Sequence, residues 1–290
     1  MKLILSRKGF DSGSGGCPSP VFPDGSMFSL PIPDSNSNIK YSEIEDREIN
    51  MGQLVFDLTY GKMQRDDPAH LDPDLNPDVL PREAGWQPSL GQAGGPQTHL
   101  DNQKVGIGDL FLFFGLYQSV EEIGGKWRFD RKARREHVLW GWLQIGAVHK
   151  VGQLREGELD WAAYHPHLQY RSRKNNTLYT AADKLRINGK QLDIPAAGTF
   201  PRYSEKLVLT APKPNRNASD WRLPASFFPT SGKTPLTHFP KPEQWRRSED
   251  GSHCLVGRRG PGQEFVLDLD HYPKVTDWLE SLLTPATIPA

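Results

Sequence analysis

Residues 110–116 form an apolar run in which no polar position alternates with the hydrophobic ones. A strand of this kind has no wet face and belongs in the middle of a sheet. A second run, from 138 to 148, has the same character and is interrupted only by Gly and Gln. β-Branched and aromatic stretches bounded by turn residues predict strands over 2–6, 53–58, 109–117, 137–148, 177–180, 206–210 and 264–269. A helical period stands out once: Val275, Trp278, Leu279 and Leu282 fall at i, i+3, i+4 and i+7, with Pro273 suited to the first turn. Its apolar face is expected to pack on the sheet. Between 211 and 252 the chain is rich in Pro, Ser and Asn, yet Trp221, Phe227, Phe228 and Trp245 are spaced through it. That spacing predicts an ordered excursion wrapped over the core.

The 27 glycines and 25 prolines favour short strands joined by loops over long helices. At 36% hydrophobic and 10% aromatic residues, with eight Trp, the chain can bury a core, which excludes disorder throughout. Its longest apolar stretches are shorter than the roughly 20 residues of a membrane-spanning helix. The N-terminal apolar patch is too short for a secretory signal. The expectation is a cytoplasmic protein with no membrane partner, organised as one domain over 1–290. Core strands would lie in 1–60 and 106–210, the wrap in 211–252, and a closing strand and helix in 253–284. Cys17 and Cys254 are too far apart in sequence, and too few, to encode a disulfide framework or a zinc finger. Net charge is zero, but residues 1–110 carry −7 and residues 111–290 carry +7. Such a division suits a basic surface for a polyanion with acidic groups kept elsewhere; it also arises when both halves simply solvate their surfaces.

Five segments concentrate chemistry. In the first, Arg7, Lys8 and Asp11 precede a Gly/Ser loop at the end of the first strand, where cations and flexible backbone can wrap a phosphate or form a plain surface loop. The second contains His70, Asp72 and Asp74, which share one side if the chain is extended there; they could ligate a divalent cation or divide acid and base roles, or form an Asx-type turn. In the third, Gln92, Gln97 and His99 lie in a Gly-rich stretch, where the amides could read a base edge and the imidazole act as base. The fourth, 126–135, interleaves Arg128, Arg131, Lys132 and Arg134 with Trp127 and Phe129, suiting a nucleic-acid backbone or a solvated hairpin tip. The fifth holds His165 and His167, at i and i+2, followed by Arg171 to Lys174 and by Asn176. The two imidazoles could bind a metal or sit in a polar loop.

The motifs Ser6-Arg7-Lys8-Gly9-Phe10-Asp11, Phe22-Pro23-Asp24-Gly25, Leu30-Pro31-Ile32-Pro33-Asp34, His70-Leu71-Asp72-Pro73-Asp74, Gln97-Thr98-His99-Leu100 and Gly108-Asp109 with its apolar strand resemble the third of the nucleotide modification associated domains. The resemblance covers most of the chain. It implies a bacterial or phage protein encoded beside systems that make or handle modified DNA bases, and it carries no reaction and no catalytic residue. The Gly-Asp turn before an apolar strand is also similar to PUA-like and EVE-like barrels that read modified bases. The fold so implied is α+β, a predominantly antiparallel barrel-like sheet with long insertions, including 60–105, and a C-terminal helix. Two functions follow as expectations. One is an enzyme of DNA base or nucleotide modification, with His70, Asp72, Asp74 and His99 catalytic, Arg7, Lys8, Asp11, Gln92, Gln97 and Asn176 holding the nucleotide, and a divalent metal as an option. The other is a non-catalytic reader that holds a flipped base while Arg128, Arg131, Lys132 and Arg134 hold the backbone. DNA or a nucleotide is the expected partner, with other proteins of a modification system.

Overall fold

The apolar run at 110–116 opens a 14-residue strand, Leu110–Ile123, in which Leu110, Phe111, Leu112 and Phe113 are wholly buried. In the computed structural model, which describes residues 1–212, 217–257 and 262–284, this strand is central to a nine-stranded mixed sheet. The strands are β1 (Lys2–Arg7), β2 (Ser19–Val21), β3 (Ser89–Gln92), β4 (Leu110–Ile123), β5 (Lys126–Phe129), β6 (Glu136–Lys150), β7 (Thr177–Ala181), β8 (Ala197–Thr199) and β9 (Glu264–Asp268). The main path runs β9-β1-β4-β6-β7-β3, with β2 and β5 on β4 and β8 on β6. Pairing is mostly antiparallel; β1 and β2 run parallel to β4. The architecture is α+β and mostly sheet.

Strand β6 serves two ladders. Its first half pairs with β4 and β8, its second half with β7, and its register shifts at Leu139/Gly141 and again at Ile145/Ala147. Shifts of this kind bend a strand and let it pass from one layer to another. The β7–β3 ladder is thereby folded back over β4, where the ring of Tyr179 meets that of Phe111 at 5.5 Å.

The expected barrel is not closed among the described residues: β3 and β9 are edges with no ladder between them. They meet through side chains, Gln92 Nε2 donating to Glu264 Oε1 at 2.6 Å. The physical reason is the helix α2 (Gly94–Asn102), which begins directly after β3 and packs on β9 where a closing ladder would lie. The stretch predicted as a strand at 53–58 is helical, α1 (Met51–Leu58); Asn50 caps it by accepting from the Gln53 N–H, and Leu54, Val55 and Leu58 are buried along it. The predicted strand at 206–210 is a 3-10 turn, Glu205–Leu207, with isolated bridges from Val208 and Thr210. A one-turn helix, α3 (Pro166–Gln169), and the expected C-terminal helix, α4 (Val275–Leu283), complete the α-helices among the described residues. In the predicted excursion, residues 213–216 lie outside the described residues. The rest contributes strands Asp220–Pro224 and Trp245–Arg247, which pair with His253–Gly257, and sends Trp221, Phe227 and Trp245 into the main core. No helix among the described residues is long and apolar enough to cross a membrane.

Candidate functional site

Three segments distant in sequence, those of Lys8, Gly91 and His165/His167, converge on the carboxylate of Asp72, whose side chain is 2% exposed. Residues Ala69–His70 pair with Ile32–Pro33, which sets Asp34 beside His70. Gly91 of β3 donates its N–H to Asp72 Oδ1 at 2.6 Å. Lys8 continues β1, its N–H bonded to Phe114 O, and brings Nζ to 3.8 Å from Asp72 Oδ2. His165 and His167 flank Pro166 at the start of α3, and Asn176 directly precedes β7. Lys8, His70, His165 and His167 lie 3.5–3.8 Å from the Asp72 carboxylate.

Hydrogen bonds fix which nitrogen of each imidazole carries its proton. His70 Nδ1 lies 2.8 Å from Asp34 Oδ2, an acceptor, so Nδ1 holds the proton and Nε2 faces Asp72. The Asn176 amide donates Nδ2 to the carbonyls of His167 and Tyr170, which leaves Oδ1 to accept from His167 Nδ1 at 2.6 Å. His167 Nε2 therefore faces Asp72 as a bare acceptor. His165 is oriented the other way: its Nδ1 accepts from the His167 N–H, so Nε2 carries a proton toward Asp72 Oδ1.

Burial and charge set the protonation of this group. Burial alone would raise the Asp72 pKa, but Lys8, His165, His70 and His167 outweigh it and hold the carboxyl well below the usual range. Burial opposes charge on His70, yet its bonds to Asp34 and Asp72 lift its pKa. Burial pushes His167 down to about 3. Glu264 is raised by burial; its Oε1 accepts from Ser6 and Gln92, while Oε2 has no partner among the described residues. A cavity of about 470 Å³ borders the cluster, lined by Lys8, His70, Asp72 and His167, with Arg7 and Arg173 in its wall.

Of the residues singled out by sequence, Lys8, His70, Asp72, Gln92 and Asn176 come together here, and Arg7 and Asp11 line the same cavity. Gln92 is engaged at both ends, donating to Glu264 and accepting from Ala93 N, so its amide is not free to read a base. Asp74 leaves the group: Arg82 grips it with two 2.7 Å bonds and Tyr164 donates to it, which makes it a structural anion. The Gly-rich stretch is no loop but the end of β3 and the start of α2, and this separates Gln97 and His99 from the cluster. Gln97 is wholly buried against Tyr179 and Asp101, and His99 faces Thr237 and lies against the tilted ring of His238. On the basic hairpin, Arg128 donates to Asp57 O and lies over the Tyr60 ring, and Arg134 donates to Ala211 O; Arg131 and Lys132 are exposed. Sequence reasoning did not place Asp34, Glu264 or Arg173, and it noticed the His165/His167 pair without its partner. The only signal for that partner was the His-x-Asp spacing at 70–72.

Neither curated proteins nor solved structures give a match to this chain. The family model described as nucleotide modification associated domain 3 matches residues 2–268 of the 290, a span that takes in every residue of the cluster from Lys8 to Glu264. The chain belongs to the nucleotide modification associated domain 3 family.

Proposed function

We propose that this protein is an enzyme of a DNA base or nucleotide modification system, acting on a nucleobase or nucleotide held in the cavity beside His70, Asp72 and His167. The observation that carries the reading is the convergence of four basic side chains on one buried carboxylate at the wall of a ligand-sized cavity. Burying so many ionisable groups costs stability, and such groups concentrate where chemistry is done. Arg7 and Arg173 line the same cavity and supply the donors a phosphate requires, while the imidazole and carboxylate group meets the part of the substrate that reacts. Asp74 and His99, tied elsewhere, have no part in the reaction. The competing reading, a base reader using the same cavity, needs the shape of the site but not the charge of Asp72.

The test is to incubate the protein with plain DNA, base-modified DNA and free nucleotides, with divalent metals and a pool of common group donors. The products are then digested to nucleosides and weighed by mass spectrometry. A change of mass that disappears in Asp72→Asn is the expected result. Unchanged nucleosides together with selective retention of modified DNA would overturn the enzyme reading in favour of the reader.

A further inference from the structure

We infer that His70 Nε2, His167 Nε2 and Asp72 Oδ2 form a binding site for a divalent transition metal; this deepens the reading of the same cluster as a reactive centre. The three residues offer ligand atoms within 4.8 Å of one another. Asp72 Oδ2 lies 3.7 Å from each imidazole nitrogen, the separation of two ligands about 2.1 Å from one ion at an angle of about 120°.

Two further features belong to a metal site rather than to an ion-pair network. First, both imidazoles are turned with Nε2 inward by an acceptor on Nδ1, Asp34 for one and Asn176 for the other, and outer partners of this kind orient metal-binding histidines. Second, the Asp72 oxygens are divided: Oδ1 is taken by the Gly91 N–H and faces the protonated nitrogen of His165, while Oδ2 faces Nε2 of both His70 and His167, with Lys8 Nζ 3.8 Å away on the same oxygen. Two imidazoles with one carboxylate suit iron, cobalt, nickel or zinc, whereas magnesium and calcium prefer oxygen donors. All three ligands line the 470 Å³ cavity, so the remaining coordination positions open toward the substrate.

Cobalt(II) is the probe, because its visible spectrum reports its ligands. Metal-stripped full-length protein titrated with Co(II) is expected to bind one equivalent with the absorption of a nitrogen and oxygen site. His70→Ala and His167→Ala should abolish this spectrum, His99→Ala should leave it intact, and Asp34→Ala and Asn176→Ala should weaken binding about 10- to 100-fold. Melting curves check that each variant is folded, and His70→Gln and His167→Gln replace any alanine variant that is not. Binding unchanged by these substitutions, or displacement of Co(II) by an equal concentration of Mg²⁺, would overturn the inference. The two proposals fail separately: nucleoside turnover in protein that binds no Co(II) removes the metal and keeps the enzyme, and Co(II) bound by the triad without turnover does the reverse.

Discussion

Gly91 does its work by lacking a side chain. A Cβ there would overlap the His167 ring, while its N–H is the 2.6 Å donor to Asp72. Gly91→Ala is therefore expected to push His167 out of place, lowering Co(II) affinity at least tenfold by titration and costing about 1–3 kcal/mol of stability through overpacking. His137 makes a prediction about pH. Burial, with Arg7 nearby, holds its pKa to about 3, and its Nδ1 accepts from Trp221 Nε1 at 2.9 Å, a bond only the neutral ring makes. The unfolded chain takes up this proton near pH 6.5, so between about 6.5 and 3 the unfolded state binds more protons and stability falls as pH falls. From pH 7 to 5 the wild type should lose about 2 kcal/mol more than His137→Gln, read from denaturant unfolding at each pH. At this scale the sequence disclosed His70 and Asp72, because they sit two positions apart. Asp34 and Glu264 were illegible, each a single acid in an ordinary stretch, and Gln97 misled, since an amide reads alike whether it faces a base or the Tyr179 hydroxyl.

Continuous apolar runs announced β4 and β6, because a strand covered on both faces has no polar positions to confuse the reading. Helix α1 was mistaken for a strand because Val55 and Phe56 favour sheets; the Asn50 cap and the spacing of Leu54 and Leu58 were the opposing signals. The bend of β6 had no signature that decided it, since Gly141 and Gly146 also suit a straight strand. The connection after Asp72 carries a prediction of its own. Arg82 binds Asp74 through both terminal nitrogens and also reaches Tyr164, the neighbour of His165. Arg82→Ala strands a carboxylate with a wholly buried side chain, and about 3–5 kcal/mol of stability should be lost in denaturant unfolding. Arg82→Ala with Asp74→Asn should recover part of it. If the double variant were no more stable than Arg82→Ala, the charge of Asp74 would not be the cause.

The whole molecule is held by contacts between remote parts of the chain. Val275, Leu279, Leu282 and Leu283 of α4 are at most 1% exposed and share the main core with β1 and β4. At about 2 kcal/mol for each buried side chain, they supply stabilisation comparable to the net stability of a typical domain. Truncation after Leu269 should abolish cooperative unfolding by circular dichroism, although the removed segment contains none of the cluster. The opposed charges of the two parts of the sequence had suggested separate surfaces for separate tasks. In the fold the site draws from both, with Asp34, His70 and Asp72 from one and His165, His167 and Glu264 from the other. The pairing of β1 with β9 also fixes an order of events during synthesis. Ser6 and Glu264, bonded side chain to side chain, are 258 positions apart, so β1 waits for a partner strand made 258 residues later. Until then Leu3, Ile4 and Leu5 stand on an open edge, the kind of surface that recruits chaperones or other nascent chains. The same strand β9 delivers Glu264 to the cluster, so a translation product interrupted before it has an incomplete centre.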